Sequence, residues 1–261
     1  MRMLNPQPTD EEYWQVYSAE YFDGLTEHQS VAGIYCDYPP VASDYEFDVA
    51  PARTQVFQAR LKHIRNLLPE GRTVLDVGAG TGEFLALAAQ HGWEPSGTEL
   101  SAHACRRALE KHHIGLQCMA FADYPEEGKT FDLIHLSHVF EHFTRPREAL
   151  DKLRRLSHPG TILVIEVPNQ FESLNYHVSR LRRLLGPPPR TVFSIHHPYF
   201  YSPRHLSRLL EENHYRVMRL RTHVPEYYRS GLRLRVVGLI SRLGELFGNR
   251  GEVIEVIATK T

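Results

Sequence analysis

Cysteine is scarce in this chain of 261 residues: Cys36, Cys105 and Cys118 form an odd, scattered trio with no C-x-x-C spacing. That pattern supports no disulfide framework and fits a reducing compartment, so a cytoplasmic location is expected. No apolar run approaches the roughly 18 residues that a membrane span needs. The opening Met1-Arg2-Met3-Leu4-Asn5-Pro6 leads into acidic Asp10-Glu11-Glu12, unlike a secretory leader. Internal repeats and low-complexity tracts are also lacking. With 42% apolar and 23% charged residues, the composition excludes collagen-like, disordered and disulfide-scaffold classes. What remains is a globular chain long enough for one large domain, or one domain with a cap.

A net charge of −1 conceals an asymmetry. Residues 1–50 hold ten Asp or Glu against a single Arg, whereas residues 170–250 hold fourteen Arg, no Lys and five Glu. The two regions could neutralise each other by packing together. Alternatively, the basic half forms a rim that attracts an anionic acceptor. Nucleic acid is not favoured as a partner, because no basic strip with interleaved aromatics is present.

Along the chain, residues 1–51 read as an N-terminal lid or cap, with Tyr13, Trp14, Tyr17, Tyr21 and Phe22 crowded together. From residue 52 onward, strands alternate with helices. Residues 52–68 repeat apolar side chains at helical spacing (Val56, Phe57, Leu61, Ile64, Leu67, Leu68) and stop at Pro69-Glu70-Gly71. Strands are expected at 73–77, 93–100, 116–120, 131–136, 161–167, 215–220 and 252–259, with helices at 83–91, 102–112, 147–156 and 203–213. This alternation predicts a mostly parallel sheet covered on both faces. Two stretches, 170–201 and 222–250, fall outside it as insertions. Both carry basic amphipathic segments, with Arg180, Arg182, Arg183 and Arg190 in the first and Arg229, Arg233, Arg235 and Arg242 in the second. Such segments suit an anionic surface or a contact between two copies of the chain.

The best functional signal is the strand, bend and helix at 73–91. Glycines allow a tight turn and close approach of a ligand to the main chain, and the following helix offers free N–H groups. A nicotinamide site needs G-x-G-x-x-G, but the third glycine position falls on Glu83. The chain instead has Asp76-x-Gly78-x-Gly80-x-Gly82. A carboxylate beside the bend suits a ligand with an ammonium group and no phosphate. Glu99 ends the next strand, where its carboxylate can accept both hydroxyls of a ribose.

The run Val74-Leu75-Asp76-Val77-Gly78-Ala79-Gly80-Thr81-Gly82 with Glu99 resembles the class I S-adenosylmethionine-dependent methyltransferases. Phe131-Asp132-Leu133-Ile134 followed by His138-Val139-Phe140-Glu141-His142 is similar to that family's fourth-strand segment. Leu156-Ser157-His158-Pro159-Gly160-Thr161 resembles its Leu-Lys-Pro-Gly-Gly turn, with Ser157, His158 and Thr161 as departures. Val167-Pro168-Asn169 and Tyr199-Phe200-Tyr201-Ser202-Pro203 are similar to a subgroup holding ubiquinone-type O-methyltransferases and natural-product and glycan methyltransferases. The resemblance spans about residues 55–220.

It implies a Rossmann-like α/β fold: a seven-stranded, mostly parallel sheet with helices on both faces and an antiparallel last strand. It implies S-adenosyl-L-methionine as cofactor and methylation of a small molecule, most readily at oxygen. By the same resemblance, Asp76 with Gly78, Ala79, Gly80 and Gly82 holds the methionine part, and Glu99 binds the ribose. Leu100 flanks the adenine, Ala122 and Asp123 meet its edge, and Ser137 lies near the sulfonium.

Imidazole titrates near neutrality, so histidine is the natural general base. His138 is the first candidate by position and His197 the second. His138-x-x-Glu141-His142 also spells an inverted zinc-peptidase motif, which on one helix could bind zinc with Glu141 as base. A metallohydrolase is therefore one alternative, and a non-catalytic cofactor-binding partner subunit is another. Ubiquinone-type relatives carry a Glu-x-x-Glu-His divalent-metal site whose first Glu is His138 here. The reading adopted assigns no metal ligand.

Overall fold

The structure, a computed structural model, describes residues 2–3, 51–126, 128–182, 197–223, 239–240, 242–246 and 248–261. The lid aromatics and Cys36 lie outside these residues. So do Arg183, Arg190, Arg229, Arg233 and Arg235.

Helix α1 (Pro51–Leu67) buries Phe57, Leu61 and Ile64, the stripe that its 3.6-residue period sets on one face. Then come β1 (Thr73–Val77), α2 (Glu83–Gln90), β2 (Glu94–Glu99), α3 (Ala102–His112), β3 (Gln117–Cys118) and β4 (Phe131–Ser137). They are followed by α4 (Pro146–Arg155), β5 (Ser157–Pro168), α5 (Leu174–Arg182), α6 (Pro203–Glu212), β6 (Tyr215–His223) and β7 (Val253–Lys260). Ser101 caps α3 and Ser202 caps α6 through their side-chain oxygens, each meeting an N–H of the first turn.

The seven strands form one sheet in the order β3-β2-β1-β4-β5-β7-β6. Strands β3, β2, β1, β4 and β5 run parallel, and β7 is antiparallel to both of its neighbours, β5 and β6. The expected antiparallel last strand is therefore present, in the interior of the sheet rather than at its edge. Strand order reverses direction between β1 and β4, the switch point beside which open parallel sheets hold ligands.

Successive side chains point to opposite faces of a strand. Val74, Leu133, Val164 and Ile257 pack against Phe57, Leu61, Ile64 and Phe84 of α1 and α2. Leu75, Ile134, Leu163 and Val256 pack on the other face with Leu150 and Leu153 of α4 and Leu206 and Leu210 of α6.

Strand β5 starts earlier than the expected residue 161. The Ser157-His158-Pro159-Gly160 segment is not a separate turn but an irregular first part of the strand. Ser157 pairs with Phe131, and Ile162 then pairs with Leu133, so the extra residues are absorbed in a register shift. A two-residue strand, Arg2–Met3, lies antiparallel to Tyr199–Phe200.

Candidate active site

The bend between β1 and α2 is tied to β2. Gly78 and Ala79 both donate their N–H to the Thr98 carbonyl, at 2.8 and 3.0 Å, and Gly82 donates to Ala79 at 3.0 Å. Gly78, Gly80 and Gly82 all have left-handed backbone, with φ of 69°, 55° and 81°. Only glycine takes this conformation freely. Among the described residues, a Cβ on Gly80 would meet nothing within 4 Å, so with respect to them the bend presents bare main chain there.

Glu99 closes the bend from β2. Its Oε2 accepts from the Gly80 N–H at 2.9 Å and its Oε1 from the Ser101 N–H at 2.9 Å. The Leu100 N–H also bonds this carboxylate, and the acceptor capacity that remains can take a ligand hydroxyl. Burial pushes the Glu99 carboxyl above its ordinary range, against the backbone hydrogen bonds that favour its charge, and the nearby Asp76 charge adds to the rise. A second carboxylate, Asp76 at the end of β1, is also buried. Two acids around one bend repel a pyrophosphate and suit a zwitterion.

Leu100 follows Glu99 and is half-buried. Cys118 of β3 stands directly opposite Glu99 in the sheet. Ala122 and Asp123 lie in a short 3-10 turn just beyond β3 and are exposed. Lys152 Nζ donates to the Ala122 carbonyl at 2.5 Å and fixes that turn.

Ser137 and His138 stand at the carboxyl end of β4, next to the bend. His138 is non-glycine yet has φ 56°, a left-handed conformation that turns the chain sharply off the strand. The turn lays Val139 over Gly78, where a Cβ would come within 2.4 Å of Val139 Cγ2. The bend and the histidine loop therefore touch. Ser137 Oγ donates to Glu166 Oε1 at 2.9 Å.

His138 lies between two acids, with Nδ1 3.6 Å from Glu141 Oε1 and Nε2 3.4 Å from Glu166 Oε1. Burial works against its charge, but Glu141 and Glu166 outweigh burial and raise its pKa to about 9. The two carboxylates thus favour its charged form. His197 comes in from the segment before Tyr199, buried, with Nε2 4.0 Å from the same Glu141 oxygen. Its ring stands edge-on to His142 with centroids 4.8 Å apart. The two candidate bases thus converge on Glu141, a carboxylate the residue pattern did not single out as their meeting point.

Glu141 itself is 2% exposed, and among the described residues neither of its oxygens has a hydrogen-bond partner. Burial alone would push its carboxyl up, but His138, His142 and His197 together hold it below its ordinary range. Ligand atoms of Glu141, His142 and His197 lie within 4.8 Å of one another, a donor set that suits a divalent cation. This set contains His197 where the motif pointed to His138. The zinc-peptidase reading fails on local geometry: it needs His138 and His142 on one helix, and they are instead joined by a left-handed residue and a 3-10 turn, Phe140–His142.

A row of buried polar groups, missed in the sequence, crosses the sheet beneath α1. Asp76, His135, Glu166 and Glu255 sit two residues along from Val74, Leu133, Val164 and Ile257 and so share the face of that apolar row. Arg60 of α1 meets all but the first. Its Nε and Nη2 donate to Glu255 Oε2 at 3.0 and 2.8 Å, its Nη1 contacts His135 Nε2 at 2.9 Å, and its Nη2 also bonds Glu166. Glu166 and Glu255 stand directly opposite each other on β5 and β7, where like charges repel unless a cation bridges them. Arg221 of β6 bonds Glu255 from the far side at 2.6 and 3.1 Å.

The strand order, the acid-flanked glycine bend and the Glu99 carboxylate define the Rossmann-like fold of class I S-adenosylmethionine-dependent methyltransferases. The methyltransferase-domain family matches residues 52–220, and the chain belongs to it. A ubiquinone biosynthesis O-methyltransferase of Azoarcus sp. is 31% identical over 147 residues, 53% of this chain and 61% of the relative. One of the same name from Coxiella burnetii is 28% identical over 129 residues, 46% of this chain and 54% of the relative. The chain thus spans between half and two thirds of the length of these curated relatives. Solved structures share the fold at low identity. A SAM-dependent methyltransferase from Archaeoglobus fulgidus has a TM-score of 0.55 and 23% identity, covering 79% of this chain and 94% of that one. The plantazolicin methyltransferase BpumL in complex with SAH has a TM-score of 0.60 and 14% identity, covering 97% of this chain and 98% of that one. Among the described residues, no helix is long and apolar enough to cross a membrane.

Proposed function

We propose that the chain transfers a methyl group from S-adenosyl-L-methionine to an oxygen of a small-molecule acceptor. The observation that carries this reading is the buried Glu99 carboxylate bonded to the Gly80 N–H at the open glycine bend. Asp76 and the backbone of Gly78, Ala79, Gly80 and Gly82 would hold the methionine part, and Glu99 the ribose. Leu100, Ala122 and Asp123 would line the adenine side, with Ser137 near the sulfonium. When bound, the cofactor supplies an electrophilic methyl carbon on positively charged sulfur. The protein must then exclude water, aim the nucleophile and manage its proton.

That proton is the task of the histidines. His138, held between Glu141 and Glu166 with its charged form favoured, stabilises the ionised acceptor oxygen electrostatically. His197, backed by the Glu141 carboxylate, accepts the proton. In this division His138 is an electrostatic partner and His197 the base. Oxygen as the methylated atom is supported by the ubiquinone-type relatives. An anionic acceptor is supported by the Arg-rich stretch at 170–250, and a reducing, cytoplasmic setting by the free thiols of Cys105 and Cys118. A divalent cation on Glu141, His142 and His197 would neutralise the carboxylate and orient the acceptor oxygen, but the proton path above runs without one.

The test is an acceptor screen with cofactor labelled at the methyl group, over phenols, catechols, hydroxy acids and sugar nucleotides. Label should appear on an acceptor oxygen. Absence of S-adenosylhomocysteine binding by calorimetry would remove the reading.

A further inference from the structure

We propose that His135 is a positioning residue for the cofactor site, and that Arg60 sets the tautomer through which it acts. The proposal rests on the cofactor reading above. His135 Nδ1 lies 2.7 Å from Asp76 Oδ1, and its Nε2 lies 2.9 Å from Arg60 Nη1. A guanidinium is a donor only and never deprotonates in a protein. The contact with Arg60 therefore requires Nε2 to be the acceptor. The ring proton is left on Nδ1, aimed at Asp76.

Three features hold this arrangement. Phe84, in the first turn of α2, stacks on the imidazole with centroids 3.7 Å apart and planes 15° apart, and Phe57 stands edge-on at 6.0 Å. The ring plane is thereby fixed. Asp76 and His135 are directly opposite on β1 and β4, which sets their separation. Arg60 cannot swing away, because Glu166 and Glu255 hold its other nitrogens.

Asp76 is 4% exposed, and its Oδ1 has one fixed donor in His135. That bond orients the carboxylate at the end of β1, so that Oδ2 remains for a ligand's ammonium group. Glu166, at the other end of the relay, also accepts from Ser137 and faces His138. One arginine thus organises carboxylates on both sides of the switch point.

The experiment separates the two ring nitrogens. In His135→Asn the side-chain amide N–H takes the place of Nδ1 and keeps the bond to Asp76 while dropping Arg60. In His135→Gln the longer amide reaches the Nε2 position, satisfies Arg60 and abandons Asp76. Both lose the Phe84 stack, so a purely structural role predicts equal effects. The expected result is S-adenosylhomocysteine affinity within about threefold of wild type for the Asn variant. The Gln variant should lose about tenfold or more, the range expected when a charge-assisted bond is removed. In turnover, the Gln variant should raise KM for the cofactor more than it lowers kcat. Equal losses in the two variants would overturn the proposal. A second measurement needs no ligand: the imidazole nitrogen spectrum of the ring-labelled wild-type chain should show the His135 proton on Nδ1. A proton on Nε2, or on both nitrogens, would also overturn it. A wild-type chain with the expected tautomer but no S-adenosylhomocysteine binding would refute the cofactor reading, and the proposal with it, leaving only the hydrogen bond.

Discussion

Replacement of Gly78 by Ala tests whether the bend and the histidine loop are one mechanical unit. The added methyl has two consequences. The backbone at φ 69° becomes strained, at about 1–2 kcal/mol for a residue with a Cβ. The new Cβ also stands 2.4 Å from Val139 Cγ2 and 3.2 Å from Cγ1. Relief of such overpacking costs about 1–3 kcal/mol. The lower chain entropy of the unfolded variant returns about 0.4–1 kcal/mol. The net expectation for Gly78→Ala is a loss of roughly 3 kcal/mol.

Val139→Ala removes both offending methyls and leaves its own Cβ at 3.4 Å, an ordinary contact. Alone it costs about 1–2 kcal/mol, because Val139 is only half-buried. In the double variant the clash is gone, so the loss should fall short of the sum by about 2 kcal/mol. Gly80→Ala is the control: it shares the left-handed backbone but, among the described residues, meets nothing within 4 Å. It should lose about 1 kcal/mol from strain alone and show no coupling to Val139. Urea denaturation of the two cycles reads all of these values. Strict additivity of Gly78→Ala and Val139→Ala would refute the contact between bend and loop.

Glu99→Gln should weaken S-adenosylhomocysteine binding by about tenfold or more in calorimetry, since a charged acceptor is lost while the shape is kept. His138 has a folded-state pKa raised to about 9, so it contributes stability in full below its ordinary value of 6.5, and that contribution is lost as pH rises through 9. Thermal melts should therefore fall between these pH values in the wild type and lose that slope in His138→Asn. In turnover, a loss of activity in His197→Asn that His138→Asn does not share supports His197 as base, whereas the reverse assigns the role to His138. Arg60→Met should destabilise the fold by about 3–5 kcal/mol in chemical denaturation, because it leaves Glu166 and Glu255 buried and opposed.

The parts legible in the sequence were local ones. Asp76, the three glycines and Glu99 lie within two strands and the helix between them. Their spacing alone places acids and bare backbone at one sheet edge. The parts that stayed hidden depend on long-range pairing. Arg60 reaches partners 75, 106 and 195 residues away, and no window along the chain contains the group. A signal was nevertheless present. Arg60 falls on the apolar stripe of α1, three residues after Phe57 and four before Ile64, where a charge is out of place. Ile165-Glu166-Val167 and Ile254-Glu255-Val256 each set an acid within an apolar strand, and they pair in register across β5 and β7. A buried cation on a helix and isolated acids in core strands must find each other, because unpaired charges are not tolerated there.

This pairing also accounts for the division of labour between the two ends of the polar row. Glu255 is met by both Arg60 and Arg221, which outweigh its burial and hold its carboxyl at about 2. Its role is to hold Arg60 in place. Glu166 shares its charge among Arg60, Ser137 and His138, and it too is held well below the ordinary range despite full burial. Glu141, by contrast, has among the described residues no hydrogen-bond partner, and His138 and His197 stand 3.6 and 4.0 Å away. The permanent cations thus serve the scaffold, whereas Glu141 is balanced by groups that can gain or lose a proton. Under the proposed reading, such an arrangement would let one proton pass from an acceptor hydroxyl without changing the charges that hold the sheet together.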